Sequence, residues 1–242
     1  MNLPILYEDA DIVAVAKPAG LLTHLPPTKP AESASADGVE PSAEGWFKEA
    51  YPTGAGYVHR LDRDTSGALV FAKNAAAYEF LRKAFRNREV KKTYIAFVYG
   101  SPKEKKGSID FDIGRSRKDF RLRSAQPKAK GRLREALTRY EVLGETDGYA
   151  LLRVSPETGR THQIRVHLKA IHHPIIGDSL YATNRPPALG IIRLALHAHT
   201  LDLPLPAGGR AHIIAPVPPD LAPAFTHFPG AAEKFAVLER AC

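Results

Sequence analysis

The sequence predicts a mixed α/β or α+β fold around one extended, largely antiparallel sheet, flanked by helices and loops. Three observations predict that class: apolar runs of strand length recur along the chain, two amphipathic helical patterns lie between them, and short turns join neighbouring runs. The 242 residues, of which 44% are hydrophobic, can bury a sizeable core and fit one large domain or two small ones.

The elements of the first half follow from local composition. Residues 4–17 predict two short strands joined by a turn. Residues 26–45 are rich in Pro, Ser, Ala and Glu, so we predict a surface loop that is too polar to build a core. This loop is an insertion within a domain, because too little sequence precedes it to fold alone. Residues 67–73 predict a buried strand, after which Asn74 is placed to cap a helix.

In the second half, residues 93–99 are β-branched and aromatic, as in a strand. Lys and Arg dominate residues 103–134, among short strand-like pieces. Residues 138–156 predict a hairpin that turns at Asp147-Gly148. Thr161 is predicted to cap a further helix, and a last helix is predicted near 231–241.

The charge balance favours a polyanionic partner. Thirty-four Lys and Arg against 26 Asp and Glu leave a net charge of +8, and each phosphate that a protein neutralises releases condensed counterions. The only cysteine is Cys242, so an intrachain disulfide, a CxxC zinc site and a buried cysteine nucleophile are all excluded. No signal peptide or membrane-spanning run is visible, and we expect a soluble, cytoplasmic protein that does not bind membranes.

The densest polar segment is residues 59–67, HRLDRDTSG, just before the predicted buried strand. If the chain is extended there, Arg60 and Asp62 project to one side while Leu61 points into the protein. A cation and a carboxylate would then face one cleft. The alternative is a solvated loop with a local ion pair.

A second segment, residues 158–167, reads TGRTHQIRVH. Gly159 permits a backbone conformation that other residues avoid. Arg165 lies beside a core-facing isoleucine near the start of the predicted helix, and a buried cation without a partner is very costly. Asp62 is a candidate partner; a purely structural salt bridge is the alternative.

A third segment, Lys92-Thr93-Tyr94, opens a predicted strand. Lys92 and Tyr94 alternate with Thr93 and would share a face. A tyrosine in such a position is otherwise a core residue or a hydrogen-bonded spacer.

These three segments, in this order, resemble the RluA-type pseudouridine synthase family. The likeness extends to ILYED and KPAG near the start, to GRLREALT (131–138), and to HPIIGDSLY (173–181) and RLALHAHTLDL (193–203). It covers nearly the whole chain apart from residues 26–45 and the extreme C-terminus. The resemblance implies the pseudouridine synthase fold as a single catalytic domain over 1–242. It also implies isomerisation of particular uridines in structured RNA, either tRNA or 23S-type rRNA or both.

The resemblance also implies roles for individual residues. Asp62 is the catalytic nucleophile, which must be ionised, and Arg165 is the arginine that pairs with it. Tyr94 packs on the uracil or assists proton transfer. Arg60 enters the RNA when the target base flips out. The reaction moves the ribose C1′ bond from N1 to C5 without oxidation, so we expect neither cofactor nor metal.

Further RNA contacts are predicted from charge and position. His59, Lys92, Arg160 and His162 adjoin the motif residues. A basic run of nine residues forms a phosphate-binding surface, although a merely solubilising loop is the alternative. Its members are Arg115, Arg117, Lys118, Arg121, Arg123, Lys128, Lys130, Arg132 and Arg134.

Many relatives carry an N-terminal S4 RNA-binding domain, which this sequence lacks, so target recognition would rest on the catalytic domain. We expect a monomer with no obligatory protein partner. Two other classes remain open: an RNA-binding protein of the same fold without catalysis, and a metal-dependent nuclease. A metal site has little support: the His pairs 172–173 and 197/199 lack partners at metal-ligand spacing, and Asp62 with Asp64 is a weak two-metal pair.

Overall fold

A computed structural model describes residues 1–25, 40–116, 122–125, 133–231 and 233–234. The chain divides into two compact units. Unit 1 comprises Met1–Val90 and Leu201–Pro216, and unit 2 comprises Lys91–Thr200 and Val217–Cys242. A single domain over the whole chain remains a prediction.

The described residues form twelve strands, three α-helices and a short 3-10 helix. The strands are β1 Ile5–Glu8, β2 Ile12–Lys17, β3 Gly56–Tyr57, β4 Ser66–Ala72, β5 Lys91–Tyr99, β6 Lys106–Asp110, β7 Gly114–Arg115, β8 Arg123–Ser124, β9 Leu137–Thr146, β10 Tyr149–Pro156, β11 Leu196–Pro204 and β12 Arg210–Ile214. The helices are α1 Ala43–Ala50, α2 Ala75–Arg86 and α3 Gln163–Ala170, and the 3-10 helix is Ala222–His227.

In unit 1, β2 pairs with both β1 and β4, and β3 pairs with β4, all antiparallel. Every residue of β4 is buried, as the sequence predicts. Asn74 caps α2 as predicted, since its side-chain oxygen accepts the Ala77 N–H at 2.9 Å. Leu81 of α2 and Val70 of β4 belong to one apolar core cluster. The elements next to the HRLD segment are therefore firmly packed.

The polar segment 26–45 differs in part from its prediction. Residues 26–39 lie outside the described residues. The end of the segment is not a coreless loop, because Ser42 caps α1 by accepting the Gly45 N–H at 3.0 Å, and Ala43 is fully buried. The buried Phe47 of α1 stacks on Phe71 of β4, with ring centroids 4.6 Å apart. Aromatic packing one turn further on thus draws the end of the polar segment into a helix.

In unit 2 the strand order is β5-β10-β9-β6, again antiparallel throughout. The hairpin predicted over residues 138–156 is confirmed, with Gly148 at a φ of +76° in its turn. Strands β7 and β8 form a separate antiparallel ladder within the basic region. The predicted fold class, mixed α and β with a largely antiparallel sheet, is confirmed.

Two predictions around α3 are wrong. The helix is capped by His162, not Thr161, and His162 adopts a left-handed φ of +57° without a side-chain capping bond. Gly159 does not have a positive φ. A Cβ built on Gly159 meets no atom within 4 Å, so the glycine leaves open space rather than permitting an unusual backbone.

Residues 231, 233 and 234 are helical, whereas the rest of the predicted terminal helix lies outside the described residues. Within the described ranges, no helix has both the length and the apolar character needed to cross a bilayer.

Candidate active site

The catalytic residues predicted from the sequence are divided between the two units. Asp62 belongs to unit 1, whereas Tyr94 and Arg165 belong to unit 2. The pairing of Asp62 with Arg165 therefore stays a prediction.

In unit 1, the loop that carries Asp62 is fixed through its neighbour Leu61. Leu61 is buried, its N–H donates to Thr23 Oγ1 at 3.2 Å, and its carbonyl accepts from the same hydroxyl at 2.9 Å. Arg60 is exposed and Asp62 is partly exposed, so burial alternates along the segment as predicted; that the two side chains face one cleft stays a prediction. The Thr65 N–H closes a turn on the Asp62 carbonyl at 3.1 Å. The local backbone on both sides of Asp62 is thus fixed, and its side chain is partly exposed.

A buried lysine supports the other side of the same loop. Lys17, at the end of β2, is 1% exposed. Its ammonium donates to the carbonyl oxygens of Pro18, Leu21 and Arg63 at 2.7–2.9 Å. Thr23 and Lys17 were not singled out in the sequence, although Lys17 opens the KPAG segment that contributes to the family resemblance.

Arg60 lies next to a pair of stacked rings. Its Nη1 is 3.5 Å from His24 Nε2, and the His24 ring stacks on Tyr57 with centroids 4.8 Å apart and planes at 8°. Burial, and then the charge of Arg60, lower the pKa of His24 below its ordinary value of 6.5. The imidazole is therefore neutral at pH 7, and its ring nitrogen can accept from the guanidinium.

His59 has a structural position. Its Nε2 accepts the Val70 N–H of β4 at 3.1 Å, and its ring stacks on Phe85 of α2 with centroids 4.9 Å apart. These contacts show that the His59 ring packs between the strand and the helix. The predicted contact of His59 with RNA stays a prediction.

In unit 2, Arg165 forms a buried bidentate ion pair with Asp178. The Nε–Oδ2 and Nη2–Oδ1 distances are both 2.8 Å, and the two side chains are 4% and 0% exposed. Asp178 Oδ1 also accepts the N–H groups of Leu180 and Tyr181 at 2.9 and 3.0 Å. This geometry satisfies the requirement that a buried cation be paired. Asp178 was missed because nothing in the local pattern connects it with a residue thirteen positions earlier.

Tyr181 connects the basic region with α3. Its hydroxyl accepts the backbone N–H of Arg123 at 2.8 Å and lies 2.9 Å from His162 Nδ1. The guanidinium of Arg165 and the ammonium of Lys169 lie over its ring, 5.1 and 5.5 Å from the centroid. Tyr181 thus holds four of the cationic or titratable residues of this region in a fixed relation.

Tyr94 is 9% exposed in β5. Lys92, two residues earlier in the same strand, lies on the same face. The Lys92 ammonium donates to the Thr158 carbonyl at 3.3 Å, and burial lowers the pKa of Lys92 from 10.5 to about 8. Both predicted residues therefore lie on one side of β5, and Lys92 reaches the start of the TGR segment.

Gln163 fixes the TGR segment. Its Oε1 accepts the Thr158 hydroxyl at 2.7 Å and the Arg160 N–H at 3.0 Å. Its Nε2 donates to the carbonyl of Leu137 and the hydroxyl of Thr138, both at 3.0 Å. The Arg160 guanidinium, partly exposed, donates from Nε to a backbone carbonyl at 3.0 Å. The turn is therefore rigid, with a cation at its far end.

The basic run is described only in part. Strands β7 and β8 set Arg115 directly opposite Arg123, and Arg134 is exposed. The role of this region in phosphate binding stays a prediction. The remaining predicted residues lie outside the described ones: Arg117, Lys118, Arg121, Lys128, Lys130 and Arg132. Over the described ranges, no group of three or more His, Cys, Asp or Glu could hold a metal ion.

Comparison with known proteins agrees with this architecture. The model of the RNA pseudouridylate synthase family matches residues 11–170. An uncharacterised RNA pseudouridine synthase of Mycobacterium bovis is 42% identical over 228 residues, covering 91% of this chain and 71% of the relative. The dual-specificity RNA pseudouridine synthase RluA of Yersinia pestis is 40% identical over 206 residues, covering 85% and 94%.

A solved structure also resembles the whole chain. Human RNA pseudouridylate synthase domain containing 1 matches with a TM-score of 0.76 and 26% identity, covering 100% of this chain and 96% of the human one. The fold, the motif segments and the family match coincide. The chain therefore belongs to the RluA-type family of RNA pseudouridine synthases, isomerases that convert uridine in RNA to pseudouridine.

Proposed function

We propose that this synthase acts on particular uridines of structured tRNA or large-subunit rRNA, flips each target base out, and uses Asp62 as its nucleophile. Tyr94 contacts the flipped base or its proton, Arg165 favours the ionised form of Asp62, and Arg60 takes the place that the base leaves. The enzyme works as a monomer in the cytoplasm with no obligatory protein partner and no cofactor.

The reaction conserves every heavy atom of the nucleotide. The bond from ribose C1′ to uracil N1 breaks, the base turns, and a bond from C1′ to C5 forms. C5 loses its proton and N1 gains one, so no electrons are transferred to an outside acceptor. A carboxylate is sufficient for this chemistry, provided that it is ionised and held at the ribose.

The rigid loop around Asp62 is the observation that carries the proposal. Both backbone groups of Leu61 are fixed by the Thr23 hydroxyl, and the Lys17 ammonium binds the Arg63 carbonyl on the other side. Asp62 is thus a partly exposed carboxylate between two anchored neighbours. Pre-organisation of this kind is what a nucleophile needs, since small displacements at a reacting centre are expensive in rate.

The test replaces Asp62 with Asn. We expect this variant to bind RNA with unchanged affinity and to form no pseudouridine, which carbodiimide labelling with primer extension on cellular RNA would detect. Asp64→Asn is the matched control, because Asp64 is a partly exposed carboxylate two residues further on; it should retain activity. Pseudouridine formation by Asp62→Asn would refute the nucleophile and leave only the family activity.

The flipping role of Arg60 has a separate test. Its guanidinium is exposed beside the stacked His24–Tyr57 rings, a setting suited to planar groups. Flipping a stacked base out of the RNA costs a few kcal/mol. A planar side chain that fills the space left by the base offsets part of that cost. Arg60→Ala should therefore lose more activity on a stem-loop than on an unstructured oligonucleotide. Arg63→Ala, which removes another exposed cation, is the control. Equal losses on both RNAs would reject the role.

The RNA itself is proposed from the relatives. One relative, from Borreliella burgdorferi, is named ribosomal large subunit pseudouridine synthase D, and the Yersinia pestis relative is named as dual-specific. Pseudouridine mapping in total RNA from cells with and without this protein would identify the target. If no pseudouridine disappears from either tRNA or large-subunit rRNA when the protein is absent, the proposal is contradicted. The same reaction in EDTA separates the synthase from a metal-dependent nuclease, which should stop.

A further inference from the structure

Among the residues that the structure describes, the Lys92 ammonium has no carboxylate counterion. Its only hydrogen bond is to the Thr158 carbonyl at 3.3 Å, and no carboxylate lies within 4 Å among the residues that the structure describes. The side chain is partly buried, and that burial alone lowers its pKa to about 8. At pH 7 it is still mostly protonated. A partly buried ammonium without a neighbouring carboxylate is destabilised by desolvation, so an anion that binds beside it gains a favourable interaction.

The neighbouring backbone is rigid and open. Gln163 holds Thr158 and the Arg160 N–H, so the turn does not need a ligand to order it. The position that a Cβ on Gly159 would occupy has no atom within 4 Å. Arg160 adds a second cation just beyond, aligned by a backbone carbonyl. The turn thus presents an open surface between two cationic side chains.

We propose that Lys92 and the Thr158–Arg160 turn form a phosphate-binding site for the RNA strand that carries the target uridine. The site rests on the proposed function, because it supposes that RNA enters beside Tyr94. Lys92 and Tyr94 share a face of β5, and residues two apart in a strand are separated by roughly 7 Å. A nucleotide whose base contacts Tyr94 has its own phosphates only a few bonds from its ribose. The phosphate at Lys92 therefore belongs to the target nucleotide or to its immediate neighbour.

A bound phosphate stabilises the charged form of Lys92. An anion at the ammonium restores the interaction that burial removed, so binding raises the proton affinity of Lys92. The contact is a charge-assisted hydrogen bond, the strong class for a phosphate oxygen. It fixes the register of the strand without reading its sequence. Register is what places one uridine, rather than its neighbours, at the catalytic carboxylate.

The experiment neutralises RNA phosphates one at a time. A stem-loop RNA that the wild type modifies is synthesised with single methylphosphonates, and the dissociation constant of each RNA is measured for the wild type, Lys92→Met and Lys91→Met. Isomerisation leaves every phosphate in place, so turnover does not change the charges probed. We expect one position next to the target at which neutralisation weakens wild-type binding by about tenfold or more. Lys92→Met should show less than about a twofold effect there.

Two controls separate the possible outcomes. Lys91→Met removes the exposed neighbour and should retain the wild-type response. Gly159→Ala should fold normally, since its Cβ meets nothing, yet bind RNA less tightly because it fills the open surface. If Lys92→Met responds like the wild type at every phosphate, and so does Lys92→Gln, the site does not exist. Absence of pseudouridine from the wild-type reaction refutes the proposed function instead, whatever the scan shows.

Discussion

Replacement of Lys92 by Met should stabilise the protein at neutral pH. The pKa of Lys92 falls from 10.5 to about 8 because of burial. At about 1.4 kcal/mol for each pKa unit, the charged form destabilises the folded state by about 3 kcal/mol. Met has a similar length and carries no charge, but it cannot donate to the Thr158 carbonyl, a loss of about 1 kcal/mol. We therefore expect a net gain of about 2 kcal/mol in the free energy of unfolding at pH 7.

The pH dependence gives the prediction its sign. Between pH 8 and 10.5 the unfolded chain keeps its proton on Lys92 while the folded chain has released it, so wild-type stability rises with pH in this range. The penalty is fully present below pH 8 and disappears as pH approaches 10.5. The advantage of Lys92→Met should therefore shrink steadily and vanish near pH 10, where the lost hydrogen bond offsets the small penalty that remains.

Urea unfolding at pH 7, 8.5 and 10, followed by circular dichroism, measures this difference directly. Comparison of two proteins at each pH cancels the titration of all other groups. Lys91→Met serves as control, because Lys91 is exposed and its replacement should change stability little at any pH. The reasoning is refuted if Lys92→Met is no more stable than the wild type at pH 7, or if its advantage is the same at all three pH values.

Two further substitutions test the contacts that hold Arg165 and the loop of Asp62 in place. Asp178→Asn leaves Arg165 buried against a neutral amide and should lower the free energy of unfolding by about 3 kcal/mol; Asp178→Glu is the charge-retaining control, and a loss under about 1 kcal/mol would contradict the ion pair's importance. Thr23→Val removes both bonds to Leu61 and should lower kcat while RNA affinity stays unchanged, whereas Thr23→Ser should retain activity. A fall in affinity alone would argue against a positioning role.

Several strands and two helices, α2 and α3, could be predicted because their signals are local. An apolar run such as GALVFAK has few alternatives to a buried strand, and β4 is buried at every residue. Asn74 predicted the start of α2, because a capping side chain accepts a hydrogen bond from a backbone N–H only three residues away. The alternation that leaves Arg60 exposed and Leu61 buried is likewise a property of a few adjacent residues.

What the sequence did not reveal depends on longer distances or on backbone conformation. The Ser42 cap of α1 was hidden in a low-complexity segment, although the aromatic residues after it were a usable signal. The left-handed φ of His162 has no marker in residue type, and Thr161 was the better cap by composition. Asp178 follows a turn far from Arg165 in sequence, and only the fold brings their charges together.

Three buried or partly buried cations near the motif residues differ in the hydrogen-bond partners that the protein gives them. Arg165 has a carboxylate with ideal geometry, and Lys17 has three carbonyl oxygens at 2.7–2.9 Å. Lys92 has one carbonyl at 3.3 Å. The protein itself satisfies the first two cations, so Arg165 is fixed on its helix and Lys17 supports the loop of the proposed nucleophile Asp62. Lys92 has the fewest hydrogen bonds of the three. Burial of its charge beside the rigid turn destabilises the folded protein, and a negative charge on the substrate can offset that loss. That difference, more than the total charge of +8, is the reason for proposing that the RNA backbone binds at Lys92.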